Sequence, residues 1–245
     1  MDKLHPTAVL FDLGSTLIDY PSTNWDKVNA RCAVAARRFL EENGFALPPE
    51  GEFGRAFEVA KEKYRRHAYE TLIEWEIPQV AIDILRQLQI PIGDGLIDRF
   101  FDAYYQPVGE IVFVYPDAKD ILKRIRESGR RIGLISNTVF PERTHREELV
   151  RFGIEPFLDF AIFSSTYGLR KPHPSIYLEA ARLAGCRADQ CVYIGDRFLE
   201  DVLGPGNVGM PAILKELAGR EYPPRIENRV RRIKVLSELP QHIDI

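Results

Sequence analysis

The chain has 245 residues, with 33 basic and 36 acidic side chains for a net charge of −3. Hydrophobic residues make up 45% of it, which excludes wholesale disorder, and the lack of a basic excess argues against a protein built to hold nucleic acid. Three cysteines (Cys32, Cys186 and Cys191) are too few and too scattered for a disulfide framework or a zinc site. No apolar run approaches the ~18 residues of a membrane span. The N-terminus runs into a strand-like segment and not a signal h-region, so no membrane and a cytoplasmic location are expected.

The first strand is expected at Ala8-Val9-Leu10-Phe11. From about Asn24 to Tyr105 the pattern is helix after helix. Trp25, Val28, Cys32, Ala35, Phe39 and Leu40 make an apolar stripe ended by Gly44, followed by helices over Glu52–Leu72, Gln79–Leu88 and Leu96–Tyr105. The aromatics Tyr20, Trp25, Tyr64, Tyr69, Trp75, Tyr104 and Tyr105 read mostly as core. A helix over Asp117–Ser128, stopped by Gly129, precedes a second strand at Ile132-Gly133-Leu134-Ile135. Further strands are expected at Phe160–Phe163, Cys191–Ile194, Pro211–Leu214 and Ile233–Leu236, with a helix opening at Pro174. Short strands apolar on both faces, alternating with amphipathic helices, predict an α/β fold with a doubly wound parallel sheet. The long helical stretch predicts an inserted domain: residues 1–19 and 111–245 as the core, 20–110 as an all-helical cap. The basic cluster Arg225–Lys234 reads as a solvated surface. Nothing in the sequence sets an oligomeric state.

Ligands of an open parallel sheet bind beyond the carboxyl ends of its strands. The first strand ends in Asp12-Leu13-Gly14-Ser15-Thr16, and the second in Ser136-Asn137-Thr138. The third leads to Lys171-Pro172, and the fourth to Gly195-Asp196 with Asp201 following. A nucleophile-capable carboxylate, a hydroxyl–amide pair, a lysine and an acidic cluster thus fall on one edge.

In this order and wording the four segments resemble the haloacid dehalogenase (HAD) superfamily, which is dominated by magnesium-dependent phosphatases. The helical insert sits where that family places a C1-type cap over its Rossmannoid core. The resemblance implies that Asp12 and Asp196, with the Gly14 carbonyl, hold Mg²⁺, and that Asp12 is also the nucleophile. Ser136, Asn137 and Lys171 would bind the phosphoryl oxygens of a small phosphorylated substrate, and Asp201 would support Lys171 or a metal-bound water. The insert would act as a lid.

The family's phosphatases usually carry a second aspartate where this chain has Gly14, and commonly a glycine where it has Ser15. The proton donor for the leaving oxygen is therefore missing; Asp19, His67 and His145 are substitutes, each reading first as a surface or cap residue. That gap keeps other readings open. One is a 2-haloacid dehalogenase, which uses the aspartate without magnesium. Another is a phosphonate-cleaving enzyme with a cap lysine (Lys27, Lys61 or Lys63), none of which the sequence marks as desolvated. The last is a non-catalytic protein binding a phosphorylated ligand or partner.

Overall fold

Strand β1 (Ala8–Phe11) is buried at every position, as four consecutive apolar residues at the centre of a parallel sheet should be. It pairs on one side with β4 (Arg131–Ser136), Val9 opposite Ile132, and on the other with β6 (Cys191–Gly195), Val9 opposite Val192. Outward from these lie β5 (Phe160–Phe163) on one flank and β7 (Ala212–Lys215) and β8 (Arg231–Ile233) on the other. All six strands run parallel, in the order β5-β4-β1-β6-β7-β8. The connecting helices are α5 (Ala118–Glu127), α6 (Glu142–Arg151), the short α7 (Ser164–Tyr167) and α8 (Pro174–Leu183). The chain builds outward from β1 to β5 and then returns to β6. The carboxyl ends of β1, β4 and β6 therefore meet at the reversal of strand order, the place where open parallel sheets bind their ligands.

The computed structural model describes residues 2–21, 24–223 and 230–245. Contacts divide the chain into two units: Met1–Asp19 with Phe113–Thr138 and Glu142–Ile245, and Tyr20–Val112 with Val139–Pro141. The first contains the sheet. The second is helical, built from α1 (Trp25–Glu42), α2 (Glu50–Thr71), α3 (Ile77–Gln87) and α4 (Leu96–Gly109) around Leu40, Phe53, Phe57, Phe100 and Tyr104. Val139–Pro141 joins it because the Ile77 N–H donates to Val139 O at 2.9 Å and the Phe140 ring meets Tyr105 edge-on at 4.8 Å.

Four local expectations need correction. The last strand is not Ile233–Leu236 but Arg231–Ile233, followed by a 3₁₀ stretch from Leu236 to Gln241. On this edge strand the backbone pairing with β7 sets the register, and only Ile233 is buried. Lys61 is desolvated after all: it is 3% exposed, donating to Asn29 Oδ1 at 3.1 Å and Glu58 Oε1 at 2.9 Å. Trp25 and Tyr69 are exposed, whereas Trp75 and Tyr104 are core. Cys186 and Cys191 are not scattered but touch. Of the basic cluster, residues 225–229 lie outside the described residues, and Arg232 pairs with Glu216. Among the described residues no helix is long and apolar enough to cross a membrane.

Candidate active site

The backbone of β1 delivers Asp12 directly to the carboxyl edge, where its N–H still donates to Ile194 O of β6 at 2.8 Å. The chain then turns tightly: the Leu17 N–H returns to Leu13 O at 2.8 Å, and Ile18–Asp19 (β2) pairs antiparallel with Phe113–Val114 (β3). The turn places Ser15, not a glycine, in the left-handed region at φ 61. Gly14 itself is outside that region, and a side chain there would meet nothing within 4 Å. The conformationally demanding position of this loop is therefore fifteen. Lys215, from the end of β7, donates to the Ser15 carbonyl at 2.9 Å and so braces the turn.

At the end of β6, Gly195 precedes Asp196 and an extended turn that continues as a π-helical stretch, Phe198–Leu203. A Cβ at Gly195 would collide with the Asp201 carboxylate, so glycine is what allows Asp201 to tuck beneath the strand end. The Arg197 N–H fixes Asp201 Oδ2 at 2.8 Å. Asp12, Asp196 and Asp201 are buried, and each offers a carboxylate oxygen within 4.8 Å of the others.

Such a cluster needs cations. Lys171, 2% exposed, supplies one: its Nζ donates to Asp12 Oδ1 at 2.7 Å, Asp201 Oδ1 at 2.8 Å and the Tyr193 hydroxyl at 2.8 Å. Burial alone would push this ammonium down, but the Asp12 and Asp201 carboxylates outweigh it and hold Lys171 above the usual lysine range, firmly charged. The base of the lysine is fixed by Asn137, whose side-chain amide accepts from the Lys171 N–H at 2.7 Å and donates to Lys171 O at 2.9 Å. The Lys171–Pro172 peptide is cis. The second cation is Arg220, from the segment after β7, whose guanidinium pairs with Asp196. The Thr16 hydroxyl completes the first loop by donating to Asp12 Oδ2 at 3.3 Å. Ser136 is the buried last residue of β4, beside this cluster in strand order.

The substitutes for the missing carboxylate differ in their surroundings. Asp19 is half-buried and accepts from Ser15 Oγ at 3.2 Å and from the Tyr115 hydroxyl. His67 is exposed on α2. His145, read from sequence as a surface or cap residue, is instead buried on α6; its ring bonds Thr138 Oγ1 at 2.6 Å and Glu148 Oε2 at 2.8 Å, and stacks on Phe163. Sequence reading missed Lys215, Arg220 and Tyr193. Lys215 had a signal, because it ends an apolar strand at the ligand edge; Arg220 is an isolated loop charge with none.

Three hard carboxylate donors facing two protein cations are chemically suited to a divalent ion that prefers oxygen ligands. The chain is also similar to known proteins. Residues 6–209 match the family haloacid dehalogenase-like hydrolase. The chain is 30% identical to a glyceraldehyde 3-phosphate phosphatase of Methanothermobacter thermautotrophicus over 242 residues, 96% of each protein. It is equally 30% identical to the enzyme of that name from Methanopyrus kandleri over 208 residues, 84% of this chain and 82% of the relative. In fold it is similar to a 2-haloacid dehalogenase from Pseudomonas syringae pv. tomato DC3000, with a TM-score of 0.70, 22% identity and coverage of 98% and 97%. The family match covers residues 6–209, well over half of the chain, and the chain belongs to the haloacid dehalogenase-like hydrolases.

Proposed function

We propose that this protein is a magnesium-dependent phosphatase of small phosphate monoesters that works through an aspartyl-phosphate on Asp12. The observation that carries the reading is the Lys171 ammonium, held between Asp12 and Asp201 inside a cluster of three buried carboxylates. A phosphoryl group brought to Asp12 meets that fixed positive charge, and preorganised charge of this kind stabilises the transferring oxygens. Ser136 and Asn137 at the end of β4 would add hydrogen bonds to the same group. An Asp12 oxygen attacks phosphorus, the ester oxygen departs, and water then attacks phosphorus to release phosphate and restore the carboxylate.

Asp12, Asp196 and the Gly14 carbonyl would hold Mg²⁺, with Asp201 in support. Bound there, the ion would neutralise the approach of one anion to another. Arg220 holds one oxygen of Asp196, so the ion and the guanidinium would compete for that carboxylate. With Gly14 in place of a carboxylate, the leaving oxygen lacks its usual proton donor, so substrates with acidic leaving groups are favoured. The relatives named as glyceraldehyde 3-phosphate phosphatases make three-carbon sugar phosphates, whose leaving group is an alkoxide, the class to screen against aryl and acyl phosphates. A cytoplasmic location fits the three free cysteines.

The test is a structure obtained with Mg²⁺ and beryllofluoride, a phosphoryl mimic. Beryllium bonded to an Asp12 oxygen, contacted by Lys171, supports the reading. An adduct elsewhere, or none while Mg²⁺ is bound, overturns it. Halide release from a 2-haloacid in excess chelator would instead identify a dehalogenase, and ligand binding with no turnover would identify a binding protein.

A further inference from the structure

Cys186 and Cys191 lie five positions apart, on either side of a 3₁₀ turn (Ala188–Gln190) that links α8 to β6. The turn is closed at both ends. The Cys186 N–H donates to Ala181 O at 3.1 Å, and the Arg187 N–H donates to the Gln190 side chain at 3.0 Å. This geometry brings the two sulfurs to 3.4 Å, contact distance, with Cys191 Sγ also 3.5 Å from Arg187 O. An S–S bond is about 2.05 Å long, so bridging asks the sulfurs to close by little more than an ångström. The two thiols differ in access. Cys191 is buried as the first residue of β6, while Cys186 is part-exposed. The third cysteine, Cys32, is buried in the helical unit.

We infer that Cys186 and Cys191 form a modification site, a dithiol that a peroxide closes to an intramolecular disulfide, with Cys186 as the attacking sulfur and Cys191 as the resolving one. The Cys186 thiolate attacks the O–O bond of hydrogen peroxide; an S–O bond forms, the O–O bond breaks, and the departing hydroxide takes a proton to leave as water. Cys191 Sγ then attacks the Cys186 sulfenic sulfur, and the displaced hydroxide leaves with the Cys191 proton as a second water. In all, two thiols and one peroxide give one disulfide and two waters, the thiols losing two electrons. Cys186 is the more accessible of the two sulfurs, so the first step falls to it, and burial pushes the Cys191 thiol up, which suits the resolving role.

The bridge would join the end of α8 to the start of β6. Lys171 lies just before α8, and Asp196 just after β6, so the cross-link sits at the far end of both elements from the carboxylate cluster. Closure therefore leaves the cluster untouched, and it restrains the unfolded chain.

The experiment exposes native, reduced protein to a small excess of hydrogen peroxide, removes it, and titrates thiols in denaturant. The expected count falls from three to one, a peptide pair linked through 186 and 191 appears on mass analysis, and dithiothreitol restores three. Oxidised protein should melt about 4–8 °C higher. In Cys191→Ser, dimedone should trap a sulfenic acid on Cys186, whereas Cys32→Ser should cross-link like the wild type. An unchanged count of three, disulfide-linked dimers, or a dimedone adduct on Cys191 in Cys186→Ser with none on Cys186 in Cys191→Ser overturns the assignment. None of these readouts depends on phosphatase activity.

Discussion

Lys171 Nζ sits 2.7 Å from Asp12 Oδ1, joining residues 159 positions apart through a contact almost sealed from solvent. The same ammonium holds Asp201 at 2.8 Å, so one cation stabilises two carboxylates that would otherwise repel each other. Removing it should be costly. Lys171→Met leaves those carboxylates buried without their shared partner, and breaking a buried pair in this way costs about 3–5 kcal/mol. The variant's melting temperature should fall in chelator and recover in part with Mg²⁺, which replaces the lost charge. Equal melting temperatures for variant and wild type in chelator would contradict this.

Gly14 has room for a side chain, since a Cβ there meets nothing within 4 Å and its φ is not left-handed. Gly14→Asp should therefore fold with little change in melting temperature. If the new carboxyl reaches the leaving oxygen, alkyl phosphate turnover should rise by up to ~10²–10⁴-fold while aryl phosphates change little. Kinetics on paired alkyl and aryl esters check this, with a steep leaving-group dependence expected in the wild type and a flatter one in the variant.

Ser15 carries a left-handed backbone at φ 61 and a 3.2 Å hydrogen bond to Asp19. Ser15→Gly relieves about 1–2 kcal/mol of backbone strain. It gives up the hydrogen bond, about 0.5–1.5 kcal/mol, and adds freedom to the unfolded chain, about 0.4–1 kcal/mol, so its net effect should be near zero. Ser15→Ala loses the bond and keeps the strain. Denaturant titration should rank the glycine variant above the alanine variant by about 1 kcal/mol; the reverse order would show that the turn is not strained.

Lys215 is buried beneath the first loop, its Nζ 3.7 Å from the centre of the Tyr115 ring. Burial pushes it down from 10.5 to about 8, against the opposing pull of Asp19, Asp117 and Asp12. Between those two values the unfolded chain binds more protons than the folded one, so this group adds stability as pH rises through the window. Below pH 8 both states are charged and the desolvation cost is full. The melting temperature of wild type relative to Lys215→Met should therefore climb from pH 8 to 10. A difference that stays flat over that range would contradict the assignment.

Much of the sheet could be read from sequence because several of its strands are unambiguous. Ala8–Phe11 and Phe160–Phe163 are continuous apolar runs, and each became a strand with those bounds. The residues that converge at the sheet edge, Asp12, Lys171, Asp196 and Asp201, were visible because each follows such a run. Other features carried too little signal. The β2–β3 pair has two residues per strand, too few for any periodicity. Helix α6 is strongly polar, yet it buries Thr144, His145 and Glu148, a polar face that apolar spacing cannot reveal. Arg220 reaches Asp196 from 24 positions away, and Cys186 meets Cys191 only because a turn closes between them. These are tertiary facts, invisible to local pattern.

The most direct measurement of the central claim is phosphate release from a panel of small phosphate esters, three-carbon sugar phosphates and aryl phosphates included, with Mg²⁺ and with excess chelator. It should be run on wild type and on Asp12→Asn, whose amide keeps the shape and removes the nucleophile. The account predicts release that requires Mg²⁺, disappears in chelator, and falls by roughly 10⁴–10⁶-fold in Asp12→Asn, the scale on which loss of a covalent nucleophile acts. Phosphate release that persists in chelator, or that survives at wild-type rate in Asp12→Asn, would contradict it.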